Sequence, residues 1–117
     1  MGEGSLHPVE RIEKAEALQR RIRARETLFD SCAMGFPAWK IMLDLYYNQL
    51  IKRDVSVGDA CLASGQPKST ALRLLKALAA EASISFYPDK NDARRTLVSL
   101  TPAISERFDQ YFDEFLT

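Results

Sequence analysis

The sequence predicts a mainly α-helical fold carrying one small β-hairpin, and three observations lead there. Apolar residues recur at steps of three and four through residues 9–30, 38–53, 68–82 and 102–116. The period falls to two around Ile84 and Phe86, and again around Val98 and Leu100. The chain breakers Gly35-Phe36-Pro37, Gly65-Gln66-Pro67 and Thr101-Pro102 lie between the long runs rather than inside them. With 117 residues the chain has room for one modest core, so a single domain over residues 9–117 is expected behind a loose tail at 1–8. His7, beside Pro8 in that tail, reads as solvated.

The first helix, residues 9–30, has a narrow apolar stripe of Val9, Ile12, Ala15, Leu18, Ile22 and Leu28/Phe29 in a charged background. A stripe that narrow suits a helix lying across something, not one inside a core. Arg20, Arg21, Arg23 and Arg25 form either a solvated face or a phosphate contact. Pro37 then suits the first turn of a second helix, where its missing N–H costs nothing. Residues 38–53 place Trp39, Met42, Leu43, Leu45, Tyr46 and Leu50 on a wide stripe, as expected of the central core helix.

Residues 54–82 are the most informative. Ser56 followed by Asp59 reads as an N-cap with a weak capping box, opening a short helix over about 57–64. Gly65-Gln66-Pro67 interrupts it, and a further helix runs from Pro67 or Lys68 to about Ala82. Ala71, Leu74/Leu75, Leu78 and Ala82 form its apolar face. Gln66, Ser69, Thr70, Arg73, Lys76 and Ala77 fall on or near the opposite side. Two short helices joined by a tight Gly-containing turn outline a helix-turn-helix over 55–82. Ile84 and Phe86, then Val98 and Leu100, alternate with Ser85, Tyr87, Leu97 and Ser99, with the polar stretch Pro88 to Arg95 between them. That is a hairpin with a long exposed tip, a wing spanning 83–101. Thr101-Pro102 reads as N-cap and first-turn proline of a last helix, 102–116, with Ile104, Phe108, Tyr111/Phe112 and Phe115 on one side. The order is that of a winged helix-turn-helix with flanking N- and C-terminal helices.

Composition excludes several chemistries. The chain is too short for the large nucleotide-binding enzyme folds. It has no phosphate loop and no nucleophile with a His base, so no catalysis and no cofactor are expected. Cys32 and Cys61 stand far apart with His7 as the sole imidazole, short of the four ligands a structural zinc needs, so no metal is expected. Both cysteines read as reduced thiols packed as small apolar groups. No apolar run approaches the ~20 residues that span a bilayer. Leu6 stands where a myristoylation signal wants Ser or Thr. A cytoplasmic protein without a membrane partner is expected.

Two stretches resemble the MarR-type winged-helix transcriptional regulators. Gln66-Pro67-Lys68-Ser69-Thr70-Ala71-Leu72-Arg73-Leu74-Leu75-Lys76-Ala77-Leu78 is similar to the family's recognition helix. Asp89-Lys90-Asn91-Asp92-Ala93-Arg94-Arg95, leading to Val98-Ser99-Leu100-Thr101, is similar to its wing, with the Asp-x-Arg and the closing Leu-Thr. Together they cover under half of the chain. The sequence departs from the family where Ala82-Ser83 replace the usual glycine after the recognition helix, and in its single, shorter C-terminal helix. The resemblance implies a sequence-specific DNA-binding regulator that works as a homodimer on double-stranded DNA. It is not extended to a small-molecule effector.

The residue chemistry matches that expectation. Short hydroxyls at a helix N-terminus, Ser69 and Thr70, suit the major groove or a phosphate met by backbone N–H groups. They also suit mere capping. Gln66 and Lys68 flank them. Arg73 reaches a guanine edge or a phosphate from the exposed face, and Lys76 suits a backbone contact. In the wing, Arg94 or Arg95 suits the minor groove and Lys90 a phosphate, with Asp92 holding one arginine while the other stays free. Each of these charges also has a plain reading as solvated surface. Val9, Ile12, Phe108, Phe112 and Phe115 are the candidates for dimerisation. The second reading is a winged helix used for protein–protein contact without DNA, motivated by zero net charge. Yet residues 52–100 carry eight basic and five acidic side chains, and residues 101–117 carry one and four. Neutrality is a sum over unlike regions.

Overall fold

The computed structural model describes residues 4–29 and 35–115. Over these residues the chain forms α1 (Pro8–Leu28), α2 (Phe36–Leu50), β1 (Val55–Ser56), α3 (Val57–Ala63), α4 (Lys68–Ala80), β2 (Ile84–Pro88), β3 (Thr96–Leu100) and α5 (Pro102–Phe115). The expected helix-turn-helix, wing and flanking helices are all present. Cys32 lies outside the described residues; Cys61 is a buried free thiol, as expected of a small apolar filler.

Local chemistry sets the boundaries. The His7 Nδ1 accepts the Val9 N–H at 3.1 Å, so this histidine caps α1 rather than standing idle in solvent. Ser56 Oγ accepts the Asp59 N–H at 3.1 Å, the N-cap expected of α3. The turn between α3 and α4 needs Gly65, whose φ is +70°. Beside it the enclosed Ser64 Oγ donates to the Cys61 carbonyl at 2.6 Å and accepts the Gln66 N–H at 3.1 Å. At the far end of α4, Ser83 N–H bonds back to Leu78 O at 2.9 Å and Ala82 N–H to Ala79 O at 3.0 Å. This is a Schellman closure, and it puts Ala82 at φ +59°. The helix therefore stops at Ala80, two residues before the apolar pattern does.

The sheet has the order β1-β3-β2 and is antiparallel throughout. The hairpin register pairs Ile84 with Leu100 and Phe86 with Val98, while Val55 adds a third short strand on Val98. Two residues are too few to show alternation, so β1 left no mark in the sequence pattern. Phe86, expected to face inward, is 42% exposed, and Leu97, expected outward, is 3% exposed. The reason is position: β3 is the middle strand, with Leu97 flanked by Ser56 and Tyr87, whereas β2 is an edge. Thr101 stands at the N-cap position expected of it, its carbonyl accepting the Ser105 N–H at 2.9 Å, and its hydroxyl donates to Ala82 O at 2.8 Å, tying α5 to the α4–β2 turn.

The core is aromatic. Phe108 of α5 sits at its centre, 4.8 Å from the Phe29 ring, 5.2 Å from Trp39 and 5.0 Å from Tyr46. Phe108 is fully enclosed by its own chain, which corrects its assignment to a dimer surface. Two arginines of the cluster at residues 20–25 are also used internally. Arg21 Nε donates to Phe115 O at 3.0 Å, satisfying the C-terminus of α5, and the Arg25 guanidinium lies 4.7 Å from the Trp39 ring centroid.

The molecule measures 57 × 30 × 27 Å with a radius of gyration of 17.0 Å. A compact chain of this length would have about 13 Å. The excess comes from α1, on which Ala24 is the buried residue while Val9, Ile12, Leu18 and Ile22 are exposed. Across the body, α2 and α5 leave an apolar groove lined by Leu43, Tyr47, Leu50 and Phe112.

Candidate nucleic-acid interface

The periodicity of α4 separates its two faces. Ala71, Leu75 and Leu78 are buried against the body. Lys68, Ser69, Arg73 and Lys76 are exposed, with Gln66 exposed in the turn before them and Thr70 half-buried. Ser69, Arg73 and Lys76 follow one another at steps of four and three, so they line one face. Pro67 is the N-cap of α4 and makes no side-chain cap hydrogen bond. Ser69 and Thr70 stand in the first turn, after the cap, and so do not act as the N-cap. The first-turn amides of α4 therefore have no side-chain acceptor from the cap residue. Residues 68–80 carry three bases and no acid.

The hairpin tip is ordered by its own side chains. Asp89 N–H donates to Arg95 O at 3.0 Å, and Arg95 N–H to Asp92 O at 2.9 Å. Asp89 Oδ1 accepts the Asn91 N–H at 2.8 Å, and Asp92 Oδ1 accepts the Arg94 N–H at 3.1 Å. The Asn91 amide, and next to it the Arg95 guanidinium, hold the Asp89 carboxyl below its ordinary value.

The two wing arginines differ. The Arg94 side chain is 94% exposed, and its Nε lies 3.5 Å from Asp92 Oδ1, a loose contact. Arg95 is hydrogen-bonded by Nη1 to Asp89 Oδ2 at 3.2 Å, and its Nη2 lies at ion-pair distance, 3.9 Å, from Asp59 Oδ2. One arginine is restrained and one projects, as expected. The restraint comes from Asp89 and Asp59, however, and Asp92 serves chiefly the Arg94 backbone. Lys90 is exposed at the tip. Sequence reasoning missed Asp59 and Asp89. Asp89 was within reach, since the Pro88–Thr96 pair places residues 89 and 95 opposite each other. Asp59 was not, because nothing local links it to Arg95.

Of the dimerisation candidates, Val9 and Ile12 are exposed along α1, Phe112 is exposed at the edge of the α2–α5 groove, and Phe115 is half-buried. Among the described residues no group of three His, Cys, Asp or Glu could hold a metal ion, and no helix is long and apolar enough to cross a membrane.

No protein-family model and no curated protein sequence matches the chain. Solved structures do match its fold. Staphylococcus aureus MepR bound to ethidium bromide is similar at a TM-score of 0.72 and 24% identity, covering 96% of this chain and 78% of that one. A point mutant of S. aureus MepR bound to an oligodeoxyribonucleotide is similar at 0.66 and 25% identity, covering 91% and 75%. The heme sensor protein PefR from Streptococcus agalactiae, in complex with heme, is similar at 0.59 and 20% identity, covering 94% and 76%. MepR and PefR are winged-helix regulators of the MarR family, and this chain has their fold.

Proposed function

We propose that the chain is a sequence-specific, DNA-binding transcriptional regulator of the MarR type, soluble in the cytoplasm and acting as a homodimer. The observation that carries this is the exposed, acid-free face of α4 in a fold whose neighbour MepR is seen with an oligodeoxyribonucleotide. In this reading α4 enters the major groove. Gln66, Lys68, Ser69 and Thr70 meet the backbone or base edges at its N-terminus, and Arg73 reads a guanine from one turn further on. Lys76 and Lys90 neutralise phosphates. Arg94, the projecting wing arginine, enters the minor groove. The reading assigns the chain no catalysis.

Dimerisation is supported by the shape of the molecule. The exposed stripe of α1 is unaccompanied within the described residues, and Phe112 borders a second uncovered apolar surface. Two-fold pairing sets two recognition helices one DNA turn apart, about 34 Å. A winged helix devoted to protein contact instead needs a neutral or acidic α4 face, which residues 68–80 do not offer.

Titration of the protein into duplex DNA at low salt tests the reading. Binding at micromolar protein, weakening steeply as salt rises, is expected. Joint substitution Arg73→Ala and Arg94→Ala is expected to abolish it. Absence of binding, or binding indifferent to both substitutions, contradicts the reading.

A further inference from the structure

The wing and the helix-turn-helix are separate elements, and a groove-spanning grip needs them at a fixed separation. Their relative placement is usually left to the sheet, here β2 and β3. The tip beyond those strands, residues 89–95, is a polar loop whose hydrogen bonds mostly join it to itself. Arg95 is different. Its two terminal nitrogens point to carboxylates on two elements, Asp89 in the wing and Asp59 in the first turn of α3.

We propose that Arg95 is a positioning residue that clamps the wing tip to α3 through Asp59 and Asp89, and so sets where Arg94 and Lys90 lie relative to α4. Three features of the site support the clamp. A guanidinium is a planar fork with donors on both arms, so a single Arg bridges two carboxylates where a Lys ammonium is one point charge. The Asp89 side chain is only 10% exposed, so that arm of the clamp is sheltered from solvent. And the local charge is wrong for a phosphate contact: one guanidinium between two carboxylates leaves a net negative site. Arg95 would have to abandon both partners before it could serve an anion. Arg94 is held more lightly: Asp92 takes its backbone amide at 3.1 Å and its Nε only at 3.5 Å, and the side chain stays 94% exposed. A tip fixed before binding spares the complex the ordering of a loop.

The second half of this proposal, that the clamp aims DNA contacts, rests on the regulator reading; the clamp itself does not. Two measurements separate them. The first is hydrogen exchange of the Asp89 and Arg95 amides in the free protein, for wild type, Asp59→Asn, Asp89→Asn and Arg95→Lys. In Asp89→Asn the amide oxygen still accepts the Asn91 N–H, and Asp59→Asn leaves the Asp59 N–H to Ser56 Oγ bond in place, so both variants remove charge and keep the local backbone bonds. Faster exchange at the tip in all three variants, with the amides of the β2–β3 ladder unchanged, is the expected result. Unchanged tip exchange in Asp59→Asn overturns the clamp.

The second measurement is affinity for duplex DNA across a salt series. Asp59→Asn is expected to weaken binding about two- to fivefold, the scale of an exposed ion pair, even though it removes a negative charge near the anion. Its salt slope should match wild type, whereas Arg94→Ala should lose about one unit of slope. Equal or tighter binding by Asp59→Asn overturns the aiming role and makes Arg95 a DNA contact freed by the substitution. If wild type itself binds no duplex, the regulator reading fails, and the exchange result alone decides the clamp.

Discussion

Ala82 adopts φ +59° at the position after α4 where a glycine would be at ease. A Cβ in the left-handed region costs roughly 1–2 kcal/mol, and the Schellman bonds of Ala82 and Ser83 oblige the backbone to accept it. Ala82→Gly should therefore raise stability by about 1 kcal/mol, the gain being trimmed by the greater freedom of unfolded glycine. Denaturant unfolding of the two proteins measures it. Tyr46 offers a second test at this scale. Its hydroxyl donates to Asp109 Oδ1 at 2.7 Å. Burial first, then Asp109, pushes its pKa from 10.0 up to about 12. The folded value lies above the unfolded one, so this contribution is intact below pH 10 and is lost as pH rises through 10 towards about 12. Thermal midpoints of wild type should fall over that window more than those of Tyr46→Phe, which lacks the titrating group. The position of Ala82 was legible in the sequence as a missing glycine, but its left-handed backbone was not, since the pattern of α4 ran on to that residue without a break.

At the scale of elements, periodicity locates faces but does not say what covers them. The stripe of α5 was legible as Ile104, Phe108, Tyr111/Phe112 and Phe115, yet its division between core and surface was not. Phe108 closes the chain's own aromatic centre, while Phe112, one turn further on, lies at the edge. Phe108→Ala should consequently cost about 3–5 kcal/mol, the penalty for emptying an aromatic site in a packed core. Phe112→Ala should cost clearly less in the isolated chain. Equilibrium unfolding ranks them. The helix-turn-helix was more readable because its signals are local: Ser56 caps α3, Gly65 turns, and Pro67 opens α4. Contacts between distant elements, such as Asp59 with Arg95 or Arg21 with Phe115, carry no local signature. They wait on the fold.

Across the whole molecule, charge and shape both point outward from the winged core. The excess of base lies in residues 52–100, and the excess of acid lies in residues 101–117. For the proposed DNA-binding role, a basic surplus this small predicts weak non-specific binding that fades quickly with salt. The extension of α1 predicts a partner. Ile12→Asp with Ile22→Asp places charges on its exposed stripe, where they cost the monomer little and a dimer interface much. Sedimentation should find wild type near twice 13.2 kDa and the double variant near 13.2 kDa. DNA affinity should fall with loss of the dimer, because two linked half-sites bind far more tightly than one.

Selection from a pool of randomised duplexes tests sequence-specific dimeric recognition most directly. Several rounds of binding and amplification should enrich a two-fold symmetric sequence whose half-sites are centred about one helical turn apart, roughly 10 base pairs. Arg73→Ala should blur the preference at one position of each half-site. A bound pool indistinguishable in sequence from the starting pool, while the protein is folded and dimeric, would contradict the account.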